Sequence, residues 1–578
     1  MLNAQAEFEK WLSGEFLDIT SRNELERIIN DENEINERFY KNLEFGTAGL
    51  RGIIGCGTNR MNVYTVRKAT QGLAEYIKAL GEKAMERGVV IAYDSRLYSD
   101  LFAKETALVL CANNIKAYLF DELKPVPMLS FAVRHLNCAM GVMITASHNP
   151  AKYNGYKVYG EDGAQIAPEV AEKVFKAIDS LDIFEDVKTA NEIDAVSCGL
   201  LEMIGSKVEK VYLENVFAQS INKDLLDKTD IKIVYTPFHG TGNIPIRKIL
   251  KMRGLENIYV VPEQEKPDPA FSTVTSPNPE NPEGFFYAVN LANEVGSDII
   301  IGTDPDCDRV GVMAKAPNGK FVPLNGNQMG ALLTHYIITE RNKNNTLPQK
   351  PIAVKTIVST ELAQKICDKY NVEMRNVLTG FKFIGEIIKD LEEKGEAERY
   401  IFGFEESYGC LCGSYARDKD GVVATMLICE MAAFYKEKNM TLYDAVQKLY
   451  EEFGYFRESQ KALTLEGISG LKKIKNMMSF IKENPFTEMN GQKVVALTDI
   501  SKGEKLDLIS GKTEKINLPE SDVLIFELED ETKFIVRPSG TEPKIKFYFF
   551  VCGETAKAAD ELMNSLSGAV LEQIDKLM

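Results

Sequence analysis

Short apolar runs rich in β-branched residues recur along the chain in pairs. The first members are Val89-Val-Ile-Ala-Tyr93, Ile231-Lys-Ile-Val-Tyr235 and Ile352-Ala-Val-Lys-Thr-Ile-Val358. The second members are Gly141-Val-Met-Ile-Thr-Ala-Ser147, Asp298-Ile-Ile-Ile-Gly-Thr-Asp304 and Tyr400-Ile-Phe-Gly-Phe-Glu405, beginning 52, 67 and 48 residues after their partners. Such spacing leaves room for a helix between two buried strands. It predicts three α/β units rather than an all-β sandwich. In sheets of that kind functional groups lie just past strand ends, and each second run delivers polar residues there. Upstream of Leu43 the chain reads as helical and charged, with Trp11 as a packing anchor. Pro262 to Pro282 is too dense in proline for a helix or strand and reads as an ordered loop, and Asn342 to Pro351 as a polar surface turn. From about Ser459 the pattern changes to short strands and a closing amphipathic helix, which predicts a fourth, different domain. The expected segments are residues 1–205, 206–320, 321–455 and 456–578.

Length agrees with that count. A chain of 578 residues exceeds the roughly 250–300 at which a single core stops growing. Its 44% hydrophobic and 26% charged residues exclude a disordered, fibrous or collagen-like chain. The net charge of −17 argues against a surface devoted to nucleic acid or anionic lipid, while leaving room for a small basic pocket. No apolar run approaches 18 residues, so no membrane span is expected. The polar, acidic start is unlike a secretory signal. Ten cysteines are scattered, and Cys410-Leu-Cys412 lacks a second pair for a zinc site. These features predict a reduced, cytoplasmic protein.

Four loops carry candidate chemistry. In Thr145-Ala-Ser147-His-Asn-Pro150 a buried run ends in a forced turn; taken alone it reads first as an ordinary Ser/Asn turn. No Gly-x-Ser-x-Gly elbow surrounds Ser147, so a serine hydrolase is not indicated. Lys157 nearby would suit phosphoryl better than acyl chemistry. Gly302-Thr-Asp304-Pro-Asp306-Cys-Asp308-Arg309 sets three carboxylates at alternating positions, fit to converge on one hard divalent cation. A calcium loop of the EF-hand type fails, because Arg309 stands where glycine is needed and Lys315 where glutamate is. Arg309 beside such a cation would suit a phosphate oxygen. Gly403-Phe-Glu405-Glu406-Ser407 could grip sugar hydroxyls or be a plain acidic turn. Arg537-Pro-Ser539-Gly540-Thr541 could cradle a phosphate or be a structural turn. Nucleotide signatures fail: Leu506 occupies a glycine position ahead of Gly511-Lys-Thr513, and Gly55-Cys-Gly57 lacks the last glycine of a dinucleotide fingerprint. Of the four histidines, His135 and His335 read as fillers, and His239 fits either a structural or a functional role.

Taken together, the loops resemble the α-D-phosphohexomutase (phosphoglucomutase/phosphomannomutase) family, most like its large bacterial members and similar also to its phosphopentomutase-type branch. The order is Gly46-Thr-Ala-Gly-Leu-Arg51-Gly52, the Ser147 loop, the Asp304 loop, Glu405-Glu-Ser407 and Arg537 to Thr541, spanning nearly the whole chain. The resemblance implies an α/β fold of three related domains with mixed sheets, plus a smaller C-terminal α+β domain, around a central active-site cleft. It implies an isomerase interconverting glucose 1-phosphate and glucose 6-phosphate through a phosphoserine enzyme and a 1,6-bisphosphate, which also serves as activator. Ser147 would be the phosphoserine, and Asp304, Asp306 and Asp308 would hold one Mg²⁺ together with a phosphoserine oxygen. Lys157, with His148 nearby, would be general acid/base, Arg309 would contact the phosphates and Arg51 would lie beside them. Thr379, Gly380 and Lys382 would read the anomeric side, and Glu405 and Ser407 the sugar hydroxyls. Arg537, Ser539, Gly540 and Thr541 would clamp the phosphate that is not reacting. Many relatives carry histidine two residues after the sugar-loop serine; here the position is Gly409. Phosphomannose, phosphopentose and phosphoglucosamine substrates, a sugar-bisphosphate synthase and an inactive sensor are the competing readings, the last opposed by the intact Ser147 and aspartates. Small phosphosugars are the expected partners, with no nucleic acid or membrane, and a monomer or weak dimer.

Overall fold

The computed structural model describes residues 3–46, 49–465, 467–539 and 544–577. The chain forms two compact units. Residues 1–325, 384–403 and 407–441 make the first; residues 326–383, 404–406 and 442–578 make the second.

In the first unit, strands β1 (Gly49–Ile53), β2 (Val89–Tyr93), β3 (Ala117–Phe120), β4 (Met140–Ile144), β5 (Tyr153–Gly160) and β6 (Leu201–Ile204) form one sheet in the order β1-β5-β4-β2-β3-β6. Strands β4, β2, β3 and β6 run parallel, while β5 and β1 are added antiparallel. Every residue of β4 is buried, so its sequence is a continuous apolar run rather than an alternating one. A second sheet repeats the scheme with β7 (Ile233–Thr236), β8 (Ile258–Val260), β9 (Ile299–Thr303), β10 (Val310–Lys315) and β11 (Phe321–Leu324), ordered β11-β10-β9-β7-β8. Here β8, β7 and β9 are parallel, and β10 and β11 antiparallel. The third repeat supplies β12 (Ile352–Thr356), β13 (Glu373–Val377), β14 (Tyr400–Phe404) and β15 (Cys410–Leu411), with β12 and β13 paired in parallel.

The paired runs of the sequence are β2 and β4, β7 and β9, and β12 and β14. What separates them is more than the expected helix. Each gap holds a further strand (β3, β8 or β13) flanked by helices, such as Ser99–Ala112 before β3 and Val126–His135 after it. Of these, β8 is only three residues long and β13 (Glu-Met-Arg-Asn-Val) is polar with a single buried residue, whereas β3, four apolar residues, has no distinguishing feature that hides it.

Three N-terminal helices, Ala4–Ser13, Ile19–Arg27 and Glu32–Phe39, are each capped by a side chain, from Asn3, Asp18 and Asp31. They enclose Trp11, which is fully buried and meets Phe39, Tyr64 and Phe184 edge-to-face at 5.2–5.7 Å.

In the second unit, β16 (Tyr455–Thr464) begins four residues ahead of the change in sequence pattern at Ser459. It joins β17 (Glu488–Met489), β18 (Gln492–Asp499), β19 (Glu504–Asp507), β20 (Thr513–Lys515), β21 (Leu524–Leu528), β22 (Lys533–Pro538) and β23 (Lys544–Gly553). The order is β16-β23-β22-β21-β18-β19-β20, antiparallel throughout, with β17 on β18. Helices Gly467–Glu483 and Ala556–Leu577 pack Ile474, Met477, Leu566 and Val570 against Phe526 and Phe534. The fold is thus α/β in three related segments with a C-terminal α+β domain.

Candidate active site

The serine and aspartate loops occupy the same place in their repeats, joining β4 to the antiparallel β5 and β9 to the antiparallel β10. The acidic loop Glu405–Gly409 joins β14 to β15. Each loop turns through one left-handed residue that is not glycine: Ser147 (φ 52°), Cys307 (φ 54°) and Tyr408 (φ 69°). Such backbone costs on the order of 1–3 kcal/mol and persists only where surroundings enforce it.

Ser147 and the aspartates come together in the first unit. Ser147 Oγ donates to Asp304 Oδ2 at 2.9 Å and lies 3.2 Å from His148 Nδ1. Asp304 Oδ1 accepts the backbone N–H groups of Asp308 and Arg309 at 3.1 and 3.0 Å, which curls the loop round its first carboxylate. Lys157 Nζ donates to Asp306 Oδ2 at 2.8 Å, and Lys419 Nζ lies 3.1 Å from Asp308 Oδ2. All three aspartates are buried, with one oxygen from each within 4.8 Å of the others. Among the described residues, Asp306 Oδ1 and Asp308 Oδ1 are buried without a hydrogen-bond donor. Three converging carboxylates with orphaned oxygens are the donor set of a hard divalent cation. Burial and mutual repulsion raise Asp304 and Asp308 above the usual carboxylate range. Burial opposes the charge on Asp306 too, but Lys157 beside it holds this carboxyl low. Burial and the charge of Arg309 push His148 down to about 3, so its imidazole is neutral at ordinary pH.

Strand register brings in two cations. Arg51 on β1 faces Gly155 of β5, and Gly49 faces Lys157, so Arg51 and Lys157 are diagonal neighbours on one face. Gly49 is required there: at φ +149° an added Cβ would sit 1.9 Å from the Tyr156 carbonyl. Arg309 is held by Glu280 at 2.6 Å.

Several parts of the site carry no motif in the sequence. Asp94 and Arg96, just past β2, grip the serine loop from beneath. The Pro262–Pro282 segment, expected to hold no helix, opens on a short one at Pro262–Glu265, where Pro262 sits at the helix start. It frames the site through Ser276 (Oγ to the His148 carbonyl, 2.6 Å), Glu280 and Phe271, whose ring lies 5.0 Å from the Arg96 guanidinium. Lys419 passes over Gly409, where an added Cβ would meet its Cδ at 2.1 Å. The lysine stem therefore fills the space beside the backbone position at which many relatives carry histidine. His239 is structural: its nitrogens reach the Lys266 carbonyl and Thr273 Oγ1, both at 2.8 Å.

The remaining candidates, apart from Ser407, lie in the second unit. Glu405 is buried and accepts the Gly380 N–H at 2.9 Å, and Glu406 accepts from Thr356 Oγ1 at 3.0 Å. Thr379 Oγ1 is buried without a partner among the described residues, and Lys382 stacks on Phe383 at 5.1 Å. Arg537 ends β22, 3.5 Å from the Tyr548 hydroxyl, and the Ser539 N–H donates to the Lys544 carbonyl at 2.7 Å. Gly540 and Thr541 lie outside the described residues. Ser407 belongs to the first unit.

Family models for phosphoglucomutase/phosphomannomutase α/β/α domains I, II and III match residues 42–183, 210–319 and 325–453. A phosphoglucomutase of Staphylococcus saprophyticus is 37% identical over 522 residues, covering 90% of this chain and 92% of that protein. One of Staphylococcus aureus is 39% identical over 515 residues, covering 89% and 90%. Among solved structures, the Paramecium phosphoglucomutase parafusin in its open form superposes with a TM-score of 0.69 at 18% identity, covering 93% of this chain and 96% of that one. A phosphoglucomutase/phosphomannomutase family protein of Burkholderia thailandensis gives 0.63 at 17%, covering 91% and 97%. The two structures support the fold alone. The chain belongs to the phosphoglucomutase/phosphomannomutase family, and it is an enzyme, an isomerase working by phosphoryl transfer.

Proposed function

We propose that the enzyme is a phosphoglucomutase, interconverting α-D-glucose 1-phosphate and glucose 6-phosphate through a phosphate on Ser147 and glucose 1,6-bisphosphate. The observation that carries this reading is Ser147 Oγ, 2.9 Å from the first of three converging buried carboxylates. Asp304, Asp306 and Asp308 would hold Mg²⁺, which when bound neutralises phosphoryl oxygens. A loose phosphoryl transition state needs positioning and charge balance more than covalent help. Arg51 and Arg309 supply fixed cations around the serine loop. His148, neutral and 3.2 Å from Ser147 Oγ, accepts the hydroxyl proton when the serine is rephosphorylated and returns it when phosphate leaves. Lys157 serves the substrate hydroxyl in the same way, and Lys419, paired with Asp308 and Asp418, is the amine that stands where the family histidine is missing. Glu405, Ser407, Thr379, Gly380 and Lys382 bind the sugar, and the loop from Arg537 to Thr541 holds the phosphate that is not reacting. One fixed clamp and one reaction centre require the bisphosphate to turn end over end between the two transfers. A sugar 1,6-bisphosphate would also reload a dephosphorylated enzyme. Ten free cysteines support a cytoplasmic setting. We keep domain boundaries near residues 205, 320 and 455.

A coupled assay over a panel of 1-phosphosugars, with and without the matching 1,6-bisphosphate, tests the reading, with intact mass reporting phosphate on Ser147. Turnover of glucose 1-phosphate that Ser147→Ala abolishes is expected. Preferential turnover of another sugar would move the substrate assignment, and net bisphosphate accumulation from a separate donor would favour a synthase. No turnover on any sugar, with Ser147 unphosphorylated, would sink the mutase.

A further inference from the structure

We propose that Arg96, seated on Asp94, is the positioning residue that sets the attack geometry of Ser147, controlling kcat rather than substrate binding. The inference rests on the mutase reading of the site.

Ser147 is held at φ 52°, a conformation that an L-residue leaves unless its own peptide groups are tied down. Both are tied, and both to one pair. The Ser147 N–H donates to Thr145 Oγ1 at 2.8 Å, and that hydroxyl donates to Asp94 Oδ2 at 2.6 Å. The Ser147 carbonyl accepts a short hydrogen bond from Arg96 Nη2, which also reaches the Asn149 carbonyl. Arg96 Nη1 donates to the carbonyls of Pro150 at 3.1 Å and Tyr153 at 3.0 Å. One planar fork thus gathers four carbonyls within residues 147–153, a task that a lysine point charge cannot copy. Asp94 fixes the fork in turn: its Oδ1 accepts the Arg96 N–H at 3.0 Å and Ser99 Oγ at 2.8 Å, and its Oδ2 lies 3.3 Å from Arg96 Nε. Neither side chain reaches solvent, and Phe271 closes the outer face of the guanidinium.

The hydrogen bonds of the Arg96 guanidinium all end within residues 147–153, three in the loop and one on Tyr153, the first residue of β5. Its loss therefore releases the loop rather than the domain. The Ser147 hydroxyl then drifts from its 2.9 Å contact with Asp304, and misplacement by about 1 Å costs on the order of 10²-fold in rate.

The experiment compares wild type, Arg96→Lys and Arg96→Ala by kcat and KM for glucose 1-phosphate. It also follows the rate at which glucose 1,6-bisphosphate loads phosphate onto Ser147, read by intact mass, with Trp11 emission and circular dichroism monitoring folding. Wild type that takes no phosphate defeats the mutase reading itself, separately from this inference. The expected result is a kcat lower by about 10²-fold in Arg96→Lys, KM within about threefold, folding retained, and partial rescue of Arg96→Ala by millimolar methylguanidinium. A kcat within threefold of wild type, or a loss seen in KM alone, overturns the inference. Where the Arg96 variants do not fold, Thr145→Val decides. It cuts the link from Asp94 to the Ser147 N–H and leaves Arg96 in place, so kcat should fall about tenfold at unchanged KM, and an unchanged kcat refutes the proposal.

Discussion

Replacing Gly409 by alanine tests whether Lys419 is locked in its place. The new methyl would lie 2.1 Å from Lys419 Cδ and 2.7 Å from its Cγ, so the lysine stem must move by roughly 1.5 Å to reach ordinary contact. Lys419 Nζ spans two buried carboxylates, Asp308 at 3.1 Å and Asp418 at 3.0 Å, with its side chain 11% exposed and theirs 3%. A displacement of that size breaks at least one of these pairs. Breaking a buried pair costs about 3–5 kcal/mol, while overpacking that relaxes costs about 1–3. Because the lysine stem can bend, we expect a loss of about 2–4 kcal/mol from the first unit. Urea unfolding followed by the emission of Trp11, the only tryptophan and part of that unit, measures it against circular dichroism. The cycle with Lys419→Ala isolates the cause. In that background the three closest contacts of the methyl, all with Lys419, are gone, so Gly409→Ala should cost under about 0.5 kcal/mol. A loss below 0.5 kcal/mol in the wild-type background would refute the reasoning, and so would an equal loss in both.

Three further outcomes follow from the same reading. Burial opposes the charge on Glu361, but Lys355 and Lys533 hold its carboxyl down to about 2 from 4.5. Its folded pKa is depressed, so its stabilisation, about 3 kcal/mol at 1.36 per unit, is complete above pH 4.5 and lost as pH falls toward 2; Glu361→Gln should flatten that stretch of the second unit's pH–stability curve. Gly49→Ala, forced against the Tyr156 carbonyl, should cost more than about 2 kcal/mol and disturb the β1–β5 register that carries Arg51, lowering activity in the fraction that remains folded. Mg²⁺ at a hundred times its dissociation constant should stabilise the protein by about 2.7 kcal/mol in thermal unfolding, EDTA should remove the effect, and Asp306→Asn should abolish it.

The parts of the site that the sequence makes legible share one property: the chemistry is contiguous. Asp304, Asp306 and Asp308 fall within five residues at a strand end, and Ser147 sits in a turn forced by Asn149-Pro150. Asp94 and Arg96 are no less buried in the site, yet Asp94-Ser-Arg96 after a strand has no spacing of its own; the residues it serves lie 51 to 57 positions away. Lys419 is hidden for a similar reason. Its partner Asp308 is more than a hundred residues upstream, and the vacancy at Gly409 announces only that something else needs the space. The fold divides along the same line. Strands buried on both faces stand out as unbroken apolar runs, whereas β8 is too short and β13 too polar to do so. The helices around Trp11 are plain from the charged, helical character of that stretch, but their side-chain caps and their docking on Tyr64 and Phe184 are seen only in the structure.

The left-handed step shared by Ser147, Cys307 and Tyr408 has a consequence for how this molecule can be altered. Each marks the crest of a strand-to-strand joint, and the same main-chain bend recurs under groups of different chemistry. A hydroxyl, a set of carboxylates and a glutamate pair are thus three attachments to one recurring hinge-pin. Exchanging what is displayed leaves a joint intact only where that group does not itself hold the bend, as Asp304 does through the Asp308 and Arg309 N–H groups. What must stay fixed is whatever ties each bend down: Asp304 at one crest, and Asp94 with Arg96 beneath another.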